Sequence, residues 1–106
     1  MNSMLSIILK QLKQDLINLY GARLVHLTLF GSQARGDSEP DSDIDVLVVL
    51  QAPINPGEEI KRTDKIVADL SLEYDVVISC LFMAENDYQT RNSNLLRNIR
   101  TEGVLL

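Results

Sequence analysis

The chain has 106 residues, 45% of them apolar and 24% charged, and carries a formal net charge of −5. That length suits one domain around one core. The acidic balance argues against binding duplex DNA or RNA, which draws on cationic surface, and no apolar run approaches the roughly 20 residues that span a bilayer. Cys80 is the only cysteine, which excludes an internal disulfide and a multi-cysteine zinc site. In the apolar run VVISCLF it reads as a buried structural thiol. The apolar stretch from Met4 to Leu9 soon meets Lys10, Lys13 and Asp15 and has no basic leader before it. It does not read as a signal peptide, and a cytoplasmic protein is expected.

In residues 3–20, Leu5, Ile8, Leu9, Leu12, Leu16 and Leu19 recur at three- and four-residue steps, which predicts a helix burying these side chains and stopped by Gly21. Residues 24–30, LVHLTLF, predict a strand with Leu24, His26, Thr28 and Phe30 on one face and Val25, Leu27 and Leu29 on the other. His26, the only histidine, reads as a core or edge side chain rather than a catalyst. Ser32 is placed as the N-cap of a short turn of helix through Gln33, Ala34 and Arg35. Residues 44–50, IDVLVVL, are apolar on both faces beyond Asp45, the pattern of a central, doubly covered strand. A loop over APINPG leads to a helix over residues 58–72 with Ile60, Ile66, Val67 and Leu70 inward. A third strand is predicted over residues 75–82, then short helices over 85–89 and 94–101, the latter stopped by Gly103. The chain is one α/β domain over residues 1–106, with no repeat and no linker.

The stretch LFGSQARGDSEPDSDIDVLVVL sets two aspartates at the mouth of a buried strand. Charge in such a place is costly unless something pairs with it. Asp43 and Asp45 are two apart, so in a strand both project from one face, roughly 6.6 Å apart. At about 6 Å and an effective dielectric near 20, two such charges repel by about 3 kcal/mol. A divalent cation between them turns repulsion into attraction, and hard carboxylate oxygens suit Mg²⁺ carried with substrate phosphates. Gly31, ending the first strand, permits a sharp turn and close approach of a ligand, and the N–H groups after Ser32 suit a phosphate. Gly31 closes strand one while Asp43 opens strand two, so the two sites meet if these strands are antiparallel. A helix of about four turns joins strands two and three, which suits a right-handed parallel crossover. Asp75 then falls on the same rim, with Glu73 as the substitute if the register differs.

The pattern Gly31-Ser32, ten residues, Asp43-Ile44-Asp45, within GSQARGDSEPDSDIDVLV, resembles the signature of the DNA polymerase β-like nucleotidyltransferase superfamily. It is similar in particular to the small prokaryotic branch, the minimal nucleotidyltransferases (MNT). The resemblance runs over nearly the whole chain. It implies a small mixed three-stranded sheet in order 1-2-3 with flanking helices, strand 1 antiparallel and strand 3 parallel to strand 2. It implies transfer of a nucleoside monophosphate, AMP from ATP, to a hydroxyl with two Mg²⁺ ions. Carried onto this sequence, Gly31 and Ser32 hold the β- and γ-phosphates, and Asp43 and Asp45 coordinate the two ions. Asp75 shares the catalytic ion and helps to deprotonate the acceptor. Arg35 either reaches a phosphate or pairs with Asp37 or Glu39. Asp37, Glu39 and Asp41 read as a solvated loop. Arg91, Arg97 and Arg100 either contact a partner or triphosphate or form a solvated helix face.

No acceptor pocket is legible. In the minimal branch the partner is a helical HEPN-domain toxin, and the transferase acts as antitoxin by adding AMP to a toxin tyrosine. By analogy, a HEPN partner is expected here. Met1, Met4, Ile7, Val104, Leu105 and Leu106 either leave an apolar patch for such a partner or for a second copy, or close the core. The competing readings are a non-catalytic module that neutralises its partner by contact, and a transferase acting on a small molecule or an RNA end.

Overall fold

The computed structural model describes residues 3–36 and 42–106. Helix α1, Ser3–Tyr20, leads through a 3-10 turn at Gly21–Arg23 into β1, Leu24–Phe30, followed by the single-turn α2, Ser32–Arg35. Then come β2, Ile44–Leu50; α3, Pro56–Tyr74; β3, Ile78–Ala84; α4, Glu85–Thr90; α5, Asn94–Glu102; and β4, Val104–Leu105. The sheet order is β3-β2-β1-β4, with β1 antiparallel to β2, β3 parallel to β2, and β4 antiparallel to β1. The relations among the first three strands agree with the sequence reading.

Among the described residues the sheet has four strands where three were expected. Gly103 ends α5, and a Cβ there would lie 2.4 Å from the Ile99 carbonyl oxygen and 2.6 Å from Thr28 Cγ2. Only a bare backbone brings α5 so close to β1, and the chain then pairs Val104 with Leu29 and Leu105 with Thr28. Two residues are too few to show alternation, so no strand signal is legible there.

The core is two-sided. On one face α1 and α3 cover Leu27, Leu29, Ile44, Val46, Val48, Leu50, Ile78 and Phe82. On the other, α5 and Tyr88 of α4 cover Leu47, Val49 and Met83. All residues of β2 from Val46 to Leu50 are fully buried, as its unbroken apolar run predicted.

Three details depart from the periodic reading. Leu19 is 40% exposed and Tyr20 is buried in its place. A register shift between Leu24 and His26 sends Leu24 to the α1 face and Val25 to the α5 face, the reverse of simple alternation. On α3, Ile60 is 55% exposed while Glu59 and Thr63 are 2% and 1% exposed. Glu59 can be buried because it is satisfied: the Tyr20 hydroxyl donates to it at 2.7 Å, and Arg62 and Arg23 lie at 3.2 and 3.8 Å. The helix begins at Pro56 and not Glu58, because the Asn55 side chain accepts from the N–H groups of Gly57 and Glu58.

Candidate active site

Strand β1 delivers Gly31 to the rim where β2 begins, because Phe30 pairs with Asp45. Gly31 adopts φ 75 and ψ −160, a region open essentially to glycine alone. A Cβ on it would lie 2.5 Å from Asp45 Oδ2. The turn and the carboxylate are thus in direct apposition. Helix α2 is one tight turn in which the N–H groups of Ala34 and Arg35 both donate to the Gly31 carbonyl. Gln33 Nε2 donates to the Ser42 carbonyl at 3.1 Å and so ties α2 to the entry of β2. Ser32 is the first residue of α2 and not its N-cap: Gly31 occupies that position, with no side-chain cap bond.

Asp43 is exposed, and Asp45 is half-buried on the face shared with Leu47 and Val49. Burial, and then the neighbouring Asp43 charge, push the Asp45 carboxyl above its ordinary value. That is the condition in which a carboxylate gains most from a cation. Two hard-oxygen donors that repel each other, beside a turn with no side chain to fill the space, fit a divalent ion arriving on phosphates.

Asp75 does not open β3. It is the C-cap of α3, in the left-handed conformation with φ 53 and ψ 52, and its N–H donates to the Ser71 carbonyl. Strand β3 starts at Ile78, and the register sets Ile78 beside Ile44 and Ser79 beside Asp45. Glu73 lies in the last turn of α3 and is exposed. Among the described residues no three histidines, cysteines or acids assemble a metal-holding group. The expected convergence of three carboxylates is therefore not met: α3 runs two residues past Leu72, to Tyr74, and the strand begins three residues later than its apolar run suggested.

Arg35 pairs with Glu102 of α5 at 3.5 Å. Its alternative partners Asp37 and Glu39 lie outside the described residues, as do Asp41 and Met1. The three C-terminal arginines are all exposed, in keeping with a solvated face, and each also has a partner within the chain. Arg91 pairs with Asp87 at 3.8 Å, Arg97 donates to Asn92 and Asn94, and Arg100 donates to the carbonyls of Tyr88 and Arg91 while lying over the Tyr88 ring. His26 packs edge-on against Tyr88 at 4.8 Å, and burial lowers its pKa, as befits a structural histidine. Sequence reasoning missed Gln33, Ser79 and Glu102. Their places depend on strand register and on how α5 returns to the rim, neither of which has a local signal.

The sequence profile of the family described as "Nucleotidyltransferase domain" matches residues 9–103. The chain belongs to that family. It is a nucleotidyltransferase, as the sequence pattern of Gly31-Ser32 followed by Asp43-Ile44-Asp45 had suggested. A relative from Methanocaldococcus jannaschii, named "Putative protein adenylyltransferase", is 38% identical over 72 residues, which is 68% of this chain and 72% of the relative. Among solved structures, a chain of a toxin–antitoxin crystal structure with AMP-PNP superposes with TM-score 0.61 at 18% identity, over 89% of this chain and 68% of that one. A chain from the structure of a tri-AMPylated Shewanella oneidensis HEPN toxin in complex with MNT antitoxin gives TM-score 0.52 at 16% identity, over 91% and 69%. At those identities the structures attest a shared fold. No helix among the described residues is long and apolar enough to cross a membrane.

Proposed function

We propose that this nucleotidyltransferase moves AMP from ATP onto a hydroxyl of a partner protein, a tyrosine of a HEPN-domain toxin, and so acts as an antitoxin in the cytoplasm. The observation that carries the reading is the apposition of Gly31 and Asp45, with 2.5 Å between a Cβ position and a carboxylate oxygen. It leaves a bare backbone against the Asp45 carboxylate, with the Asp43 charge close enough to act on it, the arrangement that suits a triphosphate. Further support comes from the relative's name and from two fold neighbours, one with AMP-PNP and one containing an AMPylated HEPN toxin.

In this reading the Gly31-Ser32 backbone and the Ser32 hydroxyl hold the β- and γ-phosphates, with Arg35 close behind. Asp43 and Asp45 would hold Mg²⁺, which when bound neutralises charge on the attacking and leaving oxygens. The acceptor oxygen forms a bond to the α-phosphorus, the bond to the bridging oxygen of pyrophosphate breaks, and the hydroxyl proton passes to solvent or a nearby base. The chain's residues contribute alignment and charge, which is most of what phosphoryl transfer requires.

A second reading, a module that neutralises its partner by contact alone, draws on the exposed apolar side chains Met4, Ile7 and Leu105. One assay separates the two. The chain is incubated with α-labelled ATP, Mg²⁺ and the protein encoded beside its gene. Label on a tyrosine of that protein, lost in Asp43→Asn and Asp45→Asn, is the expected result. A tight complex that never acquires label would defeat the transferase reading.

A further inference from the structure

The register of β3 on β2 fixes which side chain stands next to Asp45. Leu47 pairs with Leu81 and Val49 with Met83, and all four face the α5 side of the sheet. By the same alternation Asp45 and its partner Ser79 share that face. In-register neighbours on adjacent strands lie about 4.8 Å apart, so position 79 is the place on β3 from which a side chain reaches an ion held by Asp45. That place holds an exposed serine.

Asp75 is accounted for differently. It ends α3 in a left-handed conformation that aspartate tolerates better than most residues with a side chain. Its N–H and that of Val76 both donate to the Ser71 carbonyl. Its carboxylate sits at a helix C-terminus, where the dipole disfavours negative charge. Position 75 thus has a backbone role that asparagine or glycine fills equally well.

We infer that the cation site of this chain is built from two carboxylates, Asp43 and Asp45, with the neutral Ser79 hydroxyl in the third position, and that Asp75 is a helix stop and not a ligand. This rests on the reading of Asp43 and Asp45 as cation ligands. A site with one carboxylate fewer holds a bare ion weakly and relies on the nucleotide's phosphates to complete the coordination.

The test is Mn²⁺ binding by the full chain, followed by electron paramagnetic resonance with and without a non-hydrolysable ATP analogue, with circular dichroism to confirm folding. Asp75→Asn and Asp75→Gly are expected to bind within twofold of the parent, and Ser79→Asp to bind Mn²⁺ without nucleotide about tenfold more tightly. A loss of tenfold or more in folded Asp75→Asn, or an unchanged affinity in folded Ser79→Asp, overturns the inference while leaving the acid pair standing. Asp45→Asn reports on the pair itself: binding that survives this change overturns the underlying reading, and this inference with it.

Discussion

Asp45 Oδ2 lies 2.5 Å from where a side chain on Gly31 would begin, so these two positions share one small volume. Any side chain at 31 must expel the carboxylate or shift the turn. It must also adopt φ 75 with ψ −160, a combination costing a non-glycine residue on the order of 1–3 kcal/mol. Gly31→Ala is therefore expected to lower stability by about that amount and to abolish nucleotide transfer. Thermal denaturation and the labelled-ATP assay check both. Full transfer by the alanine variant would show that the turn is not part of the site.

Asp45→Asn should separate stability from activity. Burial, and then Asp43, hold the Asp45 carboxyl above its ordinary value of 3.8, so the folded chain binds this proton more tightly than the unfolded chain does. Native stability then falls as pH rises from 3.8 through the raised value, and the penalty is complete above it. At neutral pH without divalent ions the asparagine variant should be more stable than the parent, by up to about 1 kcal/mol given solvent screening. The advantage should vanish at acid pH, below both values. Mg²⁺ with nucleotide should raise the parent's melting temperature and leave the variant's unmoved.

The Tyr20–Glu59 bond joins α1 to α3 inside the core, and Glu59 is 2% exposed. Tyr20→Phe removes a donor from a buried carboxylate, at a cost of about 1–3 kcal/mol. Burial and then the bond to Glu59 raise the Tyr20 pKa well above 10.0. The stability this provides is whole below pH 10.0 and is lost as pH climbs through the raised value. Denaturant melts across the alkaline range should show that decline in the parent and a flatter profile in Tyr20→Phe.

Burial pushes the Cys80 thiol up to about 11. Because the thiolate is the reactive form, a thiol reagent at neutral pH should label the native chain slowly and the denatured chain at once. Rapid native labelling would mean that β3 is not held against α3 as described.

Patterns that depend on chain neighbours were legible in the sequence. The both-sided apolar run of β2 announced its central place, and Gly31 with Asp43 and Asp45 announced the rim. What was illegible depends on partners distant in sequence. Glu59 looks like a solvent residue until Tyr20, 39 positions away, is seen to cap it. Asp75 looks like the start of a strand because apolar residues follow it, yet helix propagation carries α3 through to Tyr74. Where β3 begins, and hence that Ser79 accompanies Asp45, is decided by pairing across strands, and a shift of one residue would move every side chain to the other face.

The short return of the chain at Val104–Leu105 has a bearing on colloidal behaviour. It pairs with Thr28 and Leu29, and the Leu106 N–H donates to the Leu27 carbonyl. Removing residues 103–106 would strip those hydrogen bonds from an edge rich in β-branched and leucine side chains. Bare edges of that kind recruit other strands. The clipped form should therefore self-associate and precipitate at concentrations where the longer chain stays dispersed, which makes this minimal strand a guard against aggregation.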